Sequence, residues 1–218
     1  MNARTHGQVK VVGAGLIGTS IGLALQKLQV DVAIEDVSPA NQMLAIDYGA
    51  GRAVSSEDSP NLIIVCVPPD VTAATIVSAL NRFPNAVVTD VASVKETILE
   101  ELVASNADTS RYVGSHPMAG REKGGALSGR PDLFTGRPWV IAVEPNTNTD
   151  AVDVVIKRNS VEGLRVVNRE IDVKNIYLKG AMNDSTAIIF KDHESGVKLP
   201  FIYTYYKPGT NGANLFTG

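Results

Sequence analysis

The chain is poor in the residues that carry metal, redox and nucleic-acid chemistry. Its 218 residues include one cysteine and three histidines. A single cysteine excludes an intramolecular disulfide, and the scattered His6, His116 and His193 give no zinc-ligand spacing, so no metal site is expected. Cys66 falls in the apolar run Leu62-Ile63-Ile64-Val65-Cys66-Val67 and reads as a small buried hydrophobe, not a reactive thiol. Charge is nearly balanced, 20 Lys and Arg against 23 Asp and Glu, for a formal net charge of −3. That balance gives no electrostatic footprint for nucleic acid or an anionic membrane. No run approaches the roughly 20 apolar residues that span a bilayer. The polar start Met1-Asn2-Ala3-Arg4-Thr5-His6-Gly7 has no apolar signal region. The expectation is a cytoplasmic protein acting on a small molecule, with neither nucleic acid nor membrane as partner. A body of this length buries roughly 70% of its unfolded-chain surface and folds without covalent staples.

What is present is an alternation of short β-branched runs and helical patterns. Val9-Lys10-Val11-Val12 reads as a buried strand, and Ile17 to Leu28 as a helix with Ile17, Ile21, Leu25 and Leu28 on one face. Val30 to Ile34 is the second strand, and Pro39 to Tyr48 a helix closed by Gly49. Leu62 to Val67 is a continuous apolar strand stopped by Pro68-Pro69, with Asp70 expected to cap a helix through Leu80. Ala86 to Thr89 is a strand, Val94 to Ala104 a helix, and Arg111 to Gly114 and Pro138 to Ile141 further strands. Strands separated by helices of ten or more residues imply crossover units. The fold class expected is α/β: a Rossmann-type, doubly wound, mainly parallel sheet.

After Pro145 the texture changes. Ala151 to Lys157 extends the pattern by a helix and Leu164 to Val167 by a strand, and after Asn168 the alternation stops. The division expected is a dinucleotide-binding domain over residues 1–168 and a β/coil-rich C-terminal segment over 169–218. In that segment Thr186 to Phe190 and Phe201 to Tyr206 are strand-like, with a hairpin turn at Glu194-Ser195-Gly196.

The first strand runs into Gly13-Ala14-Gly15-Leu16-Ile17-Gly18. Gly13 permits the tight turn, Gly15 lets the backbone approach a pyrophosphate, and Gly18 lets the helix pack on its strand. The helix N-terminus, opening through Leu16 and Ile17, offers unpaired N–H groups to phosphates. A lone glycine motif is weak, but this one follows a strand, opens a helix, and has Asp36 eighteen residues beyond Gly18. A carboxylate there accepts hydrogen bonds from ribose hydroxyls, and no arginine follows for a 2′-phosphate, so NAD is the cofactor expected. Val67, Pro68 and Pro69, at another strand's carboxyl end, would line the same crevice. A solvated turn acid is the plainer reading of Asp36.

His116 lies in Gly114-Ser115-His116-Pro117-Met118-Ala119-Gly120, after a strand, where open α/β sheets bind ligands. Its plainer reading is a satisfied loop histidine. Asp90-Val91-Ala92-Ser93-Val94-Lys95 adds a hydroxyl and a cation to that edge, although Ser93 could merely cap the next helix. Arg121-Glu122-Lys123 could orient an anionic substrate or be an ordinary solvated charge run.

Four stretches together resemble the prephenate/arogenate dehydrogenase family: Val12 to Ser20, Val65 to Pro69, Thr89 to Lys95, and above all Gly114 to Gly125. The resemblance implies NAD-dependent oxidative decarboxylation in tyrosine biosynthesis, on prephenate or arogenate. By it His116 would be the catalytic histidine that takes the C4 hydroxyl proton, and Ser93 would hydrogen-bond the same hydroxyl. Ser115, Glu122 and Lys123 would shape the substrate end. The resemblance covers about residues 8–145 and is lost from Val173 on. The family continues there with a helical dimerisation domain that supplies an arginine, whereas here no arginine follows Arg169. A homodimer is therefore an open expectation. Two readings stay open: a working dehydrogenase, or a dinucleotide-binding module (or a truncated or recombined chain) with little or no activity.

Overall fold

Strand β1 (Val9–Val12) is flanked in parallel by β2 (Val32–Glu35) and β4 (Leu62–Val65), with the two-residue β3 (Arg52–Ala53) beyond β2. The computed structural model describes residues 7–120, 124–135, 139–143, 147, 148, 150–152, 154, 155, 186–191 and 198–205. On the other side β4 pairs with β5 (Val87–Asp90) and β5 with β6 (Tyr112–Pro117), all parallel. Helices α1 (Leu16–Lys27), α2 (Pro39–Asp47), α3 (Pro69–Arg82) and α4 (Glu96–Ala104) make the crossovers. The expected doubly wound α/β sheet is the fold.

The central strands are apolar throughout because both faces are covered. Leu62 and Ile64 face α1 and α2 in a core with Val9, Val11, Val32, Ile34, Ile21 and Leu25. Ile63 and Val65 face α3 and α4, against Ile76, Leu80, Ile98 and Leu102. Each fully buried aliphatic side chain of this kind contributes roughly 2–3 kcal/mol. Arg111 ties the end of α3 to β5, donating to the carbonyls of Leu80 (2.9 Å), Phe83 (3.1 Å) and Ala86 (2.7 Å).

Several boundaries differ from the sequence reading. Asp70 does not cap α3: the cap lies two residues earlier, with Pro68 as N-cap and Pro69 supplying the preset φ, which leaves Asp70 in the first turn. There its charge complements the helix dipole. Strand β6 runs through Pro117, so His116 is the penultimate residue of the strand and does not follow it. Strand β7 (Trp139–Val143) pairs antiparallel to β6, Ser115 opposite Ile141 and Pro117 opposite Trp139. The β6–β7 connection carries a short 3-10 turn (Ala126–Ser128) where a crossover helix would be needed for a parallel strand. Residues 150–152, 154 and 155 are helical, and Ala151, Val152 and Val155 join the α1-side core.

Within 169–218 two strands are described, β8 (Thr186–Lys191) and β9 (Lys198–Tyr205), mutually antiparallel, with β9 parallel to β7. The hairpin turn expected at 194–196 and the strand expected at 164–167 lie outside the described residues, as do His6 and His193. Among the described residues no helix is long and apolar enough to cross a membrane.

Candidate active site

The strand order β3-β2-β1-β4-β5-β6 reverses between β1 and β4. That switch point opens a crevice at the carboxyl edge of the sheet, the place where such folds bind ligands. The glycine loop sits in it, and its three glycines meet three different surroundings. Gly13 has φ +104°, and a Cβ there would lie 2.4 Å from the Cys66 carbonyl oxygen of the neighbouring strand end. A Cβ on Gly18 would lie 1.9 Å from the Gly13 oxygen, so the first turn of α1 rests directly on the loop. A Cβ on Gly15 would meet nothing within 4 Å. Gly15 is the N-cap of α1 and carries no side chain to cap it, so the first amides of the helix, at Leu16 and Ile17, face open space. The turn, close packing and open approach expected of Gly13, Gly18 and Gly15 are each present as geometry.

Asp36 follows β2 and reaches back to the loop. Its carboxylate accepts the Ala14 N–H at 2.6 Å through one oxygen and the Ser38 N–H at 2.8 Å through the other. It is therefore no solvated turn acid, since it fixes the glycine loop to the end of β2. Each oxygen retains a second lone pair for a further donor. Val67 is half-buried and Pro68 and Pro69 are exposed at the β4–α3 turn, on the other side of the switch point. Cys66, below them, is inert as a nucleophile: burial, with a contribution from Asp90, pushes its thiol far up from the ordinary value.

The histidine half of the edge is built from polar groups. Asp90, at the end of β5, is fully buried. One of its oxygens accepts the Tyr112 hydroxyl at 2.7 Å and the Ser115 N–H at 3.4 Å; the other accepts the Ala92 N–H at 2.9 Å and the Lys95 ammonium. Lys95 Nζ also donates to the Ala92 carbonyl at 2.6 Å. Ser115, expected on the substrate side, is 1% exposed, and its hydroxyl donates inward to the Asp90 carbonyl (2.7 Å) while accepting from Thr89 (3.1 Å). It locks β6 to β5 and does not face the crevice.

His116 is half-buried at the end of β6. Burial, and then the charge of Lys95, hold its imidazole below the ordinary histidine value, against a smaller opposite pull from Asp90. The group is neutral near pH 7 and ready to accept a proton. Ser93 lies on the β5–α4 connection one strand over. It is exposed, its hydroxyl bonds to nothing among the described residues, and it does not cap α4, whose N-cap is Lys95 without a side-chain bond. The capping role is thus excluded and the hydroxyl is available at the edge. From β2, whose end is followed by Asp36, to β6, which carries His116, the edge spans four strand spacings, about 19 Å. That is room for an extended dinucleotide with a small substrate at one end. Glu122 and Lys123 lie outside the described residues.

The sequence reading placed Ser93, His116 and the Lys95 cation at this edge and missed the carboxylate at its centre. Asp90 and Tyr112 were visible as residue types, but their convergence with Lys95 depends on the β5–β6 register. A charged residue closing a buried strand, as Asp90 does after Val87-Val88-Thr89, is the one signal that pointed to it.

Comparison with known proteins agrees with this geometry. The family described as prephenate dehydrogenase, nucleotide-binding domain, matches residues 21–168. The "Probable prephenate dehydrogenase NovF" of Streptomyces niveus is 43% identical over 141 residues, covering 65% of this chain and 38% of that protein. Among solved structures, prephenate dehydrogenase from A. aeolicus in complex with hydroxyphenyl propionate and NAD+ superposes with TM-score 0.64 at 23% identity. The superposition covers 71% of this chain and 56% of that one, a likeness of fold. Synechocystis arogenate dehydrogenase superposes with TM-score 0.62 at 25% identity, covering 70% of this chain and 55% of that one. The chain spans between 38% and 42% of the length of three such curated relatives.

Proposed function

Because the chain belongs to the prephenate dehydrogenase family through its nucleotide-binding domain, we propose that it binds NAD and acts in the oxidative decarboxylation of prephenate or arogenate. The observation that carries this reading is the pairing of an open helix N-terminus at Gly15 with a half-buried, neutral histidine on the same sheet edge. The residues present fit the cofactor. Gly15 leaves the helix amides uncovered for a pyrophosphate, and Asp36 stands where ribose hydroxyls would donate, followed in sequence by Val37 and Ser38 with no arginine for a 2′-phosphate. When bound, NAD+ supplies the hydride acceptor.

The chain's own residues do the rest. His116 takes the proton of the substrate's C4 hydroxyl; near neutral pH its imidazole is in the accepting form. Ser93 holds the same hydroxyl in line with that nitrogen. The Asp90–Ser115 bonds fix the end of β6, and with it the histidine, against β5. As the hydroxyl proton leaves, the C4–H bond gives up its hydride, the ring carboxylate departs as CO2, and the ring becomes aromatic. Residues 1–168 form the dinucleotide-binding domain in this reading, and within 169–218 the strands β9 and β8 extend the sheet beyond β7. A small-molecule substrate is the partner required.

The match to a nucleotide-binding domain supports one second reading: a nucleotide-binding module that does not turn over by itself. The test is NADH formation from prephenate and from arogenate, with His116→Asn beside the wild type. The proposal expects turnover with at least one substrate and a loss of about 10²–10⁴-fold in kcat in the variant, with NAD affinity unchanged. NAD binding without turnover on either substrate would establish the module instead. Failure to bind NAD would defeat both readings.

A further inference from the structure

The ion pair beside His116 is not explained by stability. Asp90 has 0% and Lys95 11% of its side chain exposed. Desolvating two charges this thoroughly offsets most of their attraction, and an apolar pair of similar volume would hold the fold as well. The pair is nevertheless heavily built: Tyr112, Ala92 and Ser115 all donate to Asp90, and Ala92 accepts from Lys95.

The route of the lysine side chain shows what the pair serves. Tyr112, Gly114 and His116 alternate with Val113 and Ser115, so the first three share one face of β6. A Cβ on Gly114 would lie 3.3 Å from Lys95 Cδ and 3.2 Å from the Tyr112 hydroxyl. The lysine stem and the tyrosine tip thus occupy the place a side chain at 114 would take. His116 is the next residue along that face, roughly 7 Å further. The stem crosses β6 immediately before the histidine, and Asp90 anchors its end.

We propose that Lys95 is a positioning residue for His116: anchored on Asp90 across Gly114, its ammonium adds to the burial of the imidazole in keeping it neutral until the substrate hydroxyl supplies a proton. This inference rests on the reading of His116 as the proton acceptor. Among the described residues, the charged groups acting on the imidazole are Lys95 and Asp90, from the β5–α4 segment. Tyr112, on the histidine's own strand, is bonded to Asp90. The paired stretch of β7, Trp139–Val143, contributes no titratable side chain. A like charge at this range disfavours the imidazolium, and removing it while Asp90 remains reverses the local field.

The experiment is an NMR titration of His116 in the full 218-residue chain, without substrate, its signal assigned by loss in His116→Asn. In Lys95→Met the His116 pKa is expected to rise by about one unit, and in Lys95→Arg to stay at the wild-type value. In Asp90→Asn/Lys95→Met it should rise by less than in Lys95→Met, because the attracting carboxylate is gone as well. This neutral double variant carries the test if Lys95→Met does not fold. With turnover, the acidic limb of the kcat/KM profile moves up with the titration while the KM for NAD holds. An unchanged His116 titration in either folded variant overturns the inference, whatever the enzyme turns over. A shifted titration without turnover leaves it standing and strikes only the dehydrogenase reading.

Discussion

The two halves of the carboxyl edge solve opposite problems by opposite means. At β1–α1 the site is made by removing side chains: Gly13 and Gly18 let backbone touch backbone, and Gly15 leaves a space. At β5–β6 it is made by adding polar ones, with four donors, the Tyr112 hydroxyl, the Lys95 ammonium and the Ala92 and Ser115 amides, converging on a carboxylate with no solvent exposure. In the proposed reading the first half admits a ligand's phosphates against backbone, and the second holds one side chain, His116, in one place and one protonation state. The difference teaches that the binding half should respond to volume and the chemical half to charge.

The largest break in that comparison is Asp90→Asn. It keeps the shape and acceptor capacity toward Tyr112 but leaves the Lys95 ammonium buried without its counter-charge. A loss of about 3–5 kcal/mol at pH 7 is expected by urea denaturation. Burial already depresses the Lys95 pKa, and Asp90 supplies both pulls that oppose this. In the variant those pulls vanish, so the folded chain sheds the lysine proton at a pH where the unfolded chain still binds it. Stability relative to wild type should therefore recover as pH rises toward the unfolded lysine value near 10.4. A penalty that is flat in pH would mean the pair is packing and not charge.

Next is Gly18→Ala. Its methyl would meet the Gly13 carbonyl at 1.9 Å, backbone against backbone with no flexible tip to yield. The start of α1 must lift from the loop, at an expected cost of about 1–3 kcal/mol and with NAD affinity falling in parallel. Here the penalty should be independent of pH, which separates it from Asp90→Asn in one experiment.

The sequence disclosed these two halves unequally, for a physical reason. The glycine loop is a local device: apart from the Cys66 and Val67 contacts, the constraints on Gly13 and Gly18 arise within seven residues, so its spacing is its meaning. Asp36 was legible as an acid at the right distance, though its bond to the Ala14 amide was not. The network around Asp90 joins residues 22 and 25 positions apart across two parallel strands, and only the register shows that they meet. The same limit hid β3, whose two residues have no period to detect, and misplaced Ser115, whose hydroxyl direction depends on which strand face it occupies. The antiparallel entry of β7 was hidden because a connection of this length is compatible with a crossover, and only the missing helix reveals that there is none. His116 was singled out by its neighbours in sequence; the burial and the nearby Lys95 charge that hold its imidazole below the ordinary value are set by the fold.

The smallest stability effect is the sharpest test of the comparison. Gly15→Ala makes the same chemical change as Gly18→Ala, three residues earlier in the same loop. The backbone at Gly15, φ −76° and ψ −166°, is open to any L-residue, and the methyl would have no neighbour within 4 Å. Folding stability should change by less than about 1 kcal/mol. The methyl would instead stand in the space through which a pyrophosphate reaches the α1 amides. Overpacking of about 1–3 kcal/mol at that contact corresponds to a fall of roughly 5–150-fold in NAD affinity. Denaturation and NADH fluorescence titration on the same two variants then separate the roles: Gly18→Ala loses stability and affinity together, Gly15→Ala affinity alone. If Gly15→Ala kept full NAD affinity, the open space above the helix would not be where the phosphates bind. The binding half of the edge would then have to be sought away from the glycine loop, however well its geometry fits.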